Sequence, residues 1–301
     1  MKSSIIVVGS INMDLVVHAP RLPQLGETIL GRDFHTYPGG KGANQATTCA
    51  RLGAKVSMIG RVGKDQFGKE LLGSMNESGV EVSAVMPDEN RSSGVALITV
   101  VEDGDNTIIV SPGANGSLTS DDVVRQQSKF KEAAVVVLQL EIPLMVIETA
   151  IQLAKENGVK VVLNPAPAQS LSDSVLQQID YLIPNQTELS RLTGKKEISE
   201  GVANLRSRGI ANVIVTLGGD GVFFLEDSKL THFPAYPVQV VDTTAAGDAF
   251  VGAFAVGLSE NQTLAEAVRW GNAAGALAVT KAGAQPSLPH RDELMNLLHL
   301  T

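Results

Sequence analysis

Short apolar runs alternate with longer segments of helical period over most of the chain. Runs rich in Val, Ile and Leu are typical of buried strands, and they occur at residues 4–8, 56–60, 133–138, 159–163, 181–183 and 213–216. Apolar residues at helical spacing predict helices between them, at 65–78, from about 119, and at 143–157. Strands separated by helices favour a parallel sheet covered by helices on both faces. The pattern therefore predicts an α/β fold.

The last third of the chain is predicted to be mainly helical. An alternating segment at 237–241 indicates a short strand, and a polar turn follows it. The next residues, up to Leu258, are almost all apolar, which is typical of a buried helix. Two further helices are predicted at 264–281 and 291–298. We therefore expect the polar turn to lie at the N-terminus of a buried helix.

Two stretches break this regular pattern. The first contains short β-like pieces that are interrupted by proline and glycine, at 15–18, 28–30 and 34–37. The second, 93–101 with 106–110, is interpreted as a hairpin whose turn is Glu102-Asp103-Gly104-Asp105. Together they are expected to form a small separate sheet. Because a sheet of this size is rarely stable alone, it should pack on the main domain, on a partner subunit or on both.

Composition narrows the possible classes of protein. With 301 residues, of which 44% are hydrophobic, the chain is long enough for one large α/β domain or one domain with a small appendage. A net charge of −8 without any basic run argues against a nucleic-acid partner. No segment approaches the ~20 apolar residues of a membrane span, and the apolar run that ends at Gly9 is too short for a signal-peptide core. Cys49 is the single cysteine, and the five histidines lack ligand spacing. We expect a cytoplasmic protein with no membrane partner and no structural zinc.

The polar turn before the buried helix is Asp242-Thr243-Thr244-Ala245-Ala246-Gly247-Asp248. Free backbone N–H groups and the helix dipole favour anions at such a position, and the small side chains at 245–247 leave room for a phosphoryl group. Asp248 would repel a phosphate, but it suits a general base that takes a proton from an attacking hydroxyl. An anion hole formed by these N–H groups, with a general base beside it, indicates phosphoryl transfer. The alternative is a capped helix, with Asp242 or Thr244 as N-cap and Gly247 present for close packing.

Two segments near the N-terminus add candidate binding groups. Asn12 and Asp14 alternate with apolar residues, so in an extended segment both would face one side and could hold the hydroxyls of a small polyol; an Asx turn is the alternative. The segment Pro38-Gly39-Gly40-Lys41-Gly42-Ala43-Asn44-Gln45-Ala46 is a glycine-rich turn that opens a helix. It is neither a Walker A loop nor a dinucleotide fingerprint. Its glycines allow close backbone approach, and Lys41 and Asn44 supply donors, although an ordinary glycine-rich helix start is an equal alternative.

Polar residues follow four of the predicted strands. They are Gln139 and Glu141, then Asn164-Pro165-Ala166-Pro167, then Asn185-Gln186-Thr187-Glu188, and then Gly218-Gly219-Asp220-Gly221. Since ligands bind at the carboxyl ends of the strands in open α/β sheets, these groups are expected to share one site.

Two of these loops, and a third loop nearer the C-terminus, invite more specific interpretations. Asn185 and Glu188 suit a hydrated magnesium ion, while a helix cap with its capping-box partner is the competing interpretation. The glycines of 218–221, a turn between two strands, allow a nucleotide to lie close. The small-residue loop at 278–287 offers carbonyl groups for a monovalent cation.

With these motifs the chain resembles the ribokinase family of carbohydrate kinases over essentially its whole length. The motifs that carry the resemblance are 9–14, 39–45, 164–167 with 185–188, and 242–250. The family's usual final motif has Gly where this chain has Ala245, a change that leaves the anion hole intact. The resemblance implies a three-layer α/β/α sandwich with a mostly parallel central sheet and a small β-sheet lid. It further implies a single domain over 1–301, a lid formed by insertions at about 12–38 and 92–110, and a homodimer through that lid.

The resemblance also implies a role for each matching residue. Asp248 would be the catalytic base, and the anion hole would be formed by Ala245, Ala246 and Gly247. Ribose would be held by Asn12, Met13, Asp14, Gly40, Lys41, Gly42, Asn44, Glu141 and Asp248. ATP would be bound by Asn185, Thr216, Leu217, Gly218, Gly219, Asp220, Gly221, Gly247 and Asn272. An activating potassium ion would lie near Asp242, Thr244, Ala278, Lys281, Gly283 and Ser287. Glu188 would organise Mg²⁺ indirectly.

The implied reaction is the ATP-dependent phosphorylation of D-ribose at the 5-hydroxyl. A related kinase acting on deoxyribose, fructose or a nucleoside is the nearest alternative. Asn12 and Asp14 favour a hydroxyl-rich sugar, because a polar group left without its partner costs about 1–3 kcal/mol, and an aromatic content of 4% offers few rings for a nucleobase. A non-catalytic sugar sensor is a further alternative, but such a protein is expected to lose the base or the glycine of the hole, and Gly247 and Asp248 are both present.

Overall fold

The computed structural model describes residues 3–101, 106–226 and 229–299. Its main sheet contains β1 (Ser4–Val8), β4 (Val56–Gly63), β5 (Glu81–Asp88), β8 (Ala133–Gln139), β9 (Lys160–Asn164), β10 (Tyr181–Leu182), β11 (Asn212–Thr216), β12 (Val222–Glu226) and β13 (Lys229–Phe233). The strand order is β13-β12-β11-β10-β9-β8-β1-β4-β5. Pairing is parallel from β5 to β11 and antiparallel for β12 and β13 at one edge. The predicted mostly parallel sheet is confirmed.

Both faces of this sheet are buried, as a parallel sheet requires. In β1, Ile5 and Val7 face one apolar cluster and Ile6 and Val8 face the other. The first cluster contains side chains from α1 (Lys41–Arg51), α2 (Gln66–Glu77), α9 (Ala246–Ser259), α10 (Leu264–Ala278) and α11 (Arg291–His299). The second contains side chains from α3 (Ser120–Val124), α4 (Gln127–Glu132), α5 (Leu144–Glu156), α6 (Asp173–Leu176), α7 (Gln186–Thr193) and α8 (Ile198–Ser207). The three-layer α/β/α architecture follows.

A second, small sheet lies beside the carboxyl end of β1. Its strands are β2 (Asn12–Ala19), β3 (Arg32–Gly39), β6 (Gly94–Val101) and β7 (Asn106–Ser111), in the order β3-β2-β6-β7. β2 pairs with β3 and β6 with β7 in antiparallel fashion, whereas β2 and β6 run parallel. The expected small sheet is therefore present. The predicted hairpin turn at 102–105 lies outside the described residues.

The strand predicted at 237–241 is wrong. The segment has no strand partner and runs as an irregular connection. Pro237 cannot donate a ladder hydrogen bond, Val240 and Val241 are 60% and 59% exposed, and the Val241 N–H donates to the carbonyl of Val279 at 2.7 Å. The alternation of residue types here does not reflect a buried face.

Smaller differences concern edges and short elements. Residues 28–30 are irregular and not β-like, and the helix predicted to reach Lys281 ends at Ala278. The sequence pattern missed β5, β13, α6 and α8, and also the 3₁₀ helices Gly113–Ser117, Gly218–Asp220 and Gln285–Ser287. These elements are short, amphipathic or at the edge of the sheet, where an apolar run is weak. Across the described ranges, no helix combines the length and the apolar character needed to cross a bilayer.

Candidate functional site

A cleft of about 630 Å³ lies between the small sheet and the N-terminal ends of α1 and α9. Its polar lining includes Asn12, Asp14, Lys41, Asn44, Glu141 and Asp248, and its apolar lining includes Val16, Ala96, Ile98, Ile108, Val110 and Val240. The register of β2 and β6 places several of these side chains on one face of the small sheet, because Asp14 pairs with Ala96 and Val16 pairs with Ile98. One wall of the cleft is thus the inner face of the small sheet.

The N-terminus of α9 has no side-chain cap. Ala245 at the N-cap position is in the left-handed region, with φ 60°, and no side chain bonds the first N–H groups. Asp242 instead accepts from the N–H and the hydroxyl of Thr244 through Oδ1. A Cβ added at Gly247 would meet nothing within 4 Å. The alternative of a capped helix with a glycine for close packing is therefore wrong, and the end of α9 is open.

One of the three expected anion-binding N–H groups is partly used. The N–H of Ala246 donates to the carbonyl of Thr243 over a long 3.4 Å. For Ala245 and Gly247, we find no such partner within the described ranges. Two of the three groups are available to an anion without breaking a hydrogen bond.

Asp248 lies at the base of the cleft, 7% exposed, with both carboxylate oxygens held by neutral amides. Asn44 Nδ2 donates to Oδ2 at 2.9 Å, and Gln45 Nε2 donates to Oδ1 at 2.9 Å. Both donors come from the first turns of α1. The carboxylate is consequently fixed in direction by two neutral donors, which suits a proton acceptor.

Glycines allow α1 to approach β1 and β2 closely. Gly40 has φ 87°, and a Cβ there would lie 2.6 Å from the backbone nitrogen of Asn12. A Cβ at Gly42 would lie 2.7 Å from the nitrogen of Ser10, and one at Gly39 would lie 2.2 Å from Asp14 Oδ2. At Gly40 and Gly42 the nearest atoms are backbone atoms, so only glycine fits there.

Asn12 and Asp14 are both in β2 and both face the cleft, so the Asx-turn alternative is wrong. Their neighbour Asn115, which the sequence analysis missed, is 1% exposed. Asn115 Nδ2 donates to Asn12 Oδ1 at 2.7 Å and to the carbonyl of Ile11, while its Oδ1 accepts from the N–H of Ile11. Asn12 is therefore turned with its own NH₂ group away from Asn115. No periodic signal marks Asn115, which follows a Pro-Gly turn.

Negative charge is concentrated around Lys41. Burial, together with the charges of Glu141 and Asp248, raises the pKa of Asp14 to about 7, an effect that Lys41 partly offsets. For Lys41, burial opposes the charged form, but the carboxylates around it hold its pKa above the ordinary value. Ser10 donates its hydroxyl to Glu141 and fixes that side chain. The cleft thus combines one cation with several acceptors.

Asn44 retains a free acceptor. Its Oδ1 is buried and, among the described residues, has no hydrogen-bond donor. A buried acceptor of this kind normally has a partner. Since Asn44 lines the cleft, a ligand hydroxyl would supply the missing hydrogen.

The candidate nucleotide residues lie at the ends of β10 and β11. Asn185 forms an isolated parallel bridge with Thr216, and Leu217 leads into the 3₁₀ turn Gly218–Asp220. Gly221 has φ 91° and approaches the chain at Phe233 and Ala235, while Asn272 Nδ2 donates to the carbonyl of Pro234 at 2.8 Å. These residues form a second group that does not line the cleft.

Asn185 and Glu188 form a capping box at the start of α7, with both reciprocal bonds at 2.8 Å. The capping interpretation is correct for this pair. The pKa of Glu188 is raised, mainly because the side chain is buried. Charges in the cleft also act on this pKa, since Lys41 lowers it and Asp248 raises it. Within the box, Asn185 Oδ1 and Glu188 Oε2 each already accept a backbone N–H.

Most of the candidate potassium residues meet between the start of α9 and the loop after α10. Asp242 Oδ2 accepts from the N–H of Gly283 at 2.8 Å, while Oδ1 holds Thr244. The carbonyl of Val279, next to Ala278, accepts from the N–H of Val241. Ser287 is buried and donates to the carbonyl of Ala284. The ammonium of Lys281 points instead to Glu293 at 2.6 Å, so only its backbone remains available.

The turn before α9 and the loop after α10 together present several oxygen atoms and the Asp242 carboxylate, which fits a hard monovalent cation. Over residues 3–101, 106–226 and 229–299, no group of three or more His, Cys, Asp or Glu side chains is arranged to hold a metal ion.

Known carbohydrate kinases resemble this chain over almost its whole length. The pfkB family carbohydrate kinases match residues 2–291. A ribokinase of Haemophilus influenzae is 42% identical, covering 99% of both chains, and a deoxyribokinase of Salmonella typhimurium is 36% identical, covering 98% of this chain and 99% of its own. The structure of an Arabidopsis thaliana ribokinase complexed with ribose and ATP superposes with a TM-score of 0.91 at 36% identity, covering 100% of both chains. The chain belongs to the pfkB family of carbohydrate kinases.

Proposed function

We propose that this protein phosphorylates the 5-hydroxyl of D-ribose with ATP, giving D-ribose 5-phosphate and ADP. The observation that carries the proposal is the position of Asp248. It is a buried, amide-held carboxylate directly beside the open N-terminus of α9, at the base of a cleft lined by hydroxyl-binding groups. A proton acceptor and an anion site are both needed for this reaction, and they adjoin here.

The acceptor end follows from the cleft. Asn12, Asp14, Lys41, Asn44 and Glu141 present donors and acceptors on one side, and the Asn44 Oδ1 acceptor lacks a partner among the described residues. Met13, Gly40 and Gly42 contribute backbone and shape. This set suits several adjacent hydroxyls, as on a pentose.

Asp248 is the proton acceptor in the proposed mechanism. Asn44 and Gln45 hold its two oxygens, leaving further lone pairs for the 5-hydroxyl. As that oxygen attacks the γ-phosphate in line, its proton passes to Asp248. The free N–H groups of Ala245 and Gly247, with Ala246 beside them, stabilise the negative charge on the transferred group, and Lys41 adds a positive charge.

ATP is assigned to the second group of residues. Thr216, Leu217, Gly218, Gly219, Asp220 and Gly221 provide a backbone surface, with Asn185 and Asn272 at its two sides. Gly247 lies in the first turn of α9, between the cleft residues Ala245 and Asp248, and its Cβ position is open. The nucleotide would thus reach the acceptor across the end of α9.

Two cations belong to the proposal. Glu188 would hold a hydrated Mg²⁺ on ATP through water, and the ion would neutralise phosphate charge. Backbone oxygens around Asp242, Thr244, Ala278, Lys281, Gly283 and Ser287 would hold K⁺. Because the Asp242 carboxylate joins the start of α9 to that loop, an occupied site would steady the turn that carries Ala245.

A homodimer through the small sheet and a cytoplasmic location complete the proposal. Leu97 and Ile109 are cross-strand neighbours, 49% and 69% exposed, and Phe34 on the same sheet is 63% exposed. Several exposed apolar side chains on the small sheet favour a partner subunit that covers them. A cytoplasmic location agrees with the need for ATP.

The alternative acceptors remain to be separated by experiment. We would measure ADP release from MgATP with ribose, deoxyribose, fructose and adenosine in parallel, in potassium and in sodium buffer. The proposal predicts the highest kcat/KM with ribose and faster turnover in potassium. A preference for deoxyribose, fructose or adenosine would refute the assignment of ribose, and no turnover with any acceptor, while ribose still binds, would favour a sugar sensor.

A further inference from the structure

We propose that Gln139 orients the Asp248 carboxylate through Gln45, in a relay of buried amides that makes Gln139 a positioning residue for phosphoryl transfer. The inference rests on the proposed function, because it concerns the same base. The amide group of Gln45 lies between Gln139 and Asp248.

The relay consists of two fully buried amides. Gln139 Nε2 donates to Gln45 Oε1 at 2.6 Å, and Gln45 Nε2 donates to Asp248 Oδ1 at 2.9 Å. Both glutamines are 0% exposed, so neither amide can exchange its partner for bulk water. Each hydrogen bond therefore depends on the other for its direction.

The direction of the relay is set by a backbone carbonyl. Asn164 Nδ2 donates to the carbonyl of Ile183 at 2.9 Å, and a carbonyl can only accept. Asn164 must then present Oδ1 to Gln45, whose Nε2 donates to it at 3.3 Å. With Nε2 placed by Asn164, Gln45 Oε1 faces Gln139, and Gln139 completes the arrangement by donating to it.

The strand ends of the main sheet hold this arrangement in place. In the pairing of β8 with β9, Gln139 and Asn164 are direct neighbours, and Gly9 follows the end of β1 beside them. A Cβ at Gly9 would lie 1.9 Å from Gln139 Oε1. A side chain at position 9 would displace the Gln139 amide, so three neighbouring strand ends together accommodate the relay.

A turned Gln45 amide would impair the base. If Gln45 reversed, its Oε1 would face Asp248 Oδ1, and its NH₂ group would face that of Gln139. Two acceptors would then repel each other in a buried site. The acceptor on Asn164 and the donor on Gln139 together oppose this reversal.

Gln139→Glu tests the relay through its pH dependence. While protonated, the introduced carboxyl can still donate to Gln45 Oε1, whereas once ionised it accepts from Gln45 and turns that amide away from Asp248. Burial raises the pKa of such a carboxyl well above its usual value of about 4. We expect kcat near that of the unmodified protein at pH 6 and a loss of about tenfold by pH 8.5, which adds a basic limb to the profile.

Gln139→Met removes the donor at every pH with little change in volume. We expect kcat to fall about tenfold with KM for ribose within about twofold, because the sugar contacts are untouched. The matched control is Thr47→Val, on the same helix as Gln45. The Thr47 hydroxyl is buried and, in the described part of the chain, has no hydrogen-bond partner, so this exchange should leave kcat unchanged.

The outcomes separate the relay from the proposed function. If the unmodified protein does not turn over ribose, the proposed function fails. If it does, and Gln139→Met keeps full kcat, the relay is refuted. A loss that appears equally in Thr47→Val, or a Gln139→Glu loss of equal size at every pH, would mean a merely structural role and would also refute it.

Discussion

The cleft and the turn at 218–221 use two different kinds of recognition. In the cleft, Asn12, Asn44 and Asp248 are buried side chains, and each is hydrogen-bonded to another side chain. Around the turn, Gly218, Gly219 and Asp220 are largely exposed, and the structure offers a backbone surface. The cleft would therefore recognise its ligand through side chains, and the turn at 218–221 would do so through its backbone.

This difference predicts different tolerance to substitution. A buried polar group that loses its partner costs about 1–3 kcal/mol, so single changes in the cleft should alter sugar binding or turnover strongly. An exposed side chain exchanges its contacts for water, and its loss is usually worth less than about 0.5 kcal/mol. The predictions below test this contrast.

Gly247→Val should have the largest effect of the four substitutions that test this contrast, because Gly247 lies at the open end of α9 between two residues that line the cleft, Ala245 and Asp248. Its Cβ position is open in the free protein, so the valine fits until a phosphoryl group needs the same space. We expect kcat to fall by about 100-fold, comparable to the loss of one oxyanion donor. Gly73→Val is the matched control, since Gly73 is also helical with an open Cβ position, and its kcat should not change.

Asp14→Asn should raise the stability of the free protein at high pH. Burial with Glu141 and Asp248 raises the pKa of Asp14 from 3.8 to about 7, so its ionisation destabilises the fold, at about 1.4 kcal/mol per pKa unit. The gain in melting temperature should be largest above pH 7 and should disappear as the pH falls towards 4. Ribose binding should weaken at the same time. A gain that does not vary with pH would contradict this account.

Asn115→Ala should weaken sugar binding without touching the sugar. It removes the donor that turns Asn12, so we expect KM for ribose to rise about tenfold, equivalent to about 1.4 kcal/mol, while KM for ATP stays the same. Steady-state kinetics with each substrate varied in turn measures both. Equal changes in the two KM values would indicate a general loss of structure.

Asp220→Ala should have the smallest effect. Asp220 is exposed, and its backbone carbonyl, which accepts from His232 at 2.7 Å, is retained in the variant. We expect KM for ATP to change by less than about threefold. A tenfold rise in KM for ATP would show that the turn binds ATP through side chains, which would contradict the contrast between the two regions.

The regular part of the fold could be predicted from sequence because its signal is local. Strands such as 133–138 are uniformly apolar since both faces of the sheet are covered. The segment 237–241 shows the limit of this argument: alternation of Val with polar residues describes a strand only if a partner strand exists. Partners are set by topology, which a single segment does not encode.

The candidate site divides in the same way. Asp248 could be predicted because a carboxylate after small residues at a helix start is a local pattern. The roles of Asn115 and Gln45 could not, because their partners are 103 and 203 residues away. Only the assembled fold brings Gly9, Gln139 and Asn164 to adjacent strand ends.

Asp248→Asn tests the central claim most directly. The exchange keeps the size of the side chain and an acceptor for one amide of α1, but it removes the proton acceptor. We would measure kcat with saturating ribose and MgATP, and ribose affinity by calorimetry in the same preparation. The account predicts a fall in kcat of about 10³-fold or more, with ribose Kd within about threefold. A variant that retains a tenth of the original kcat, or that loses ribose binding in proportion to turnover, would contradict the assignment of Asp248 as the base.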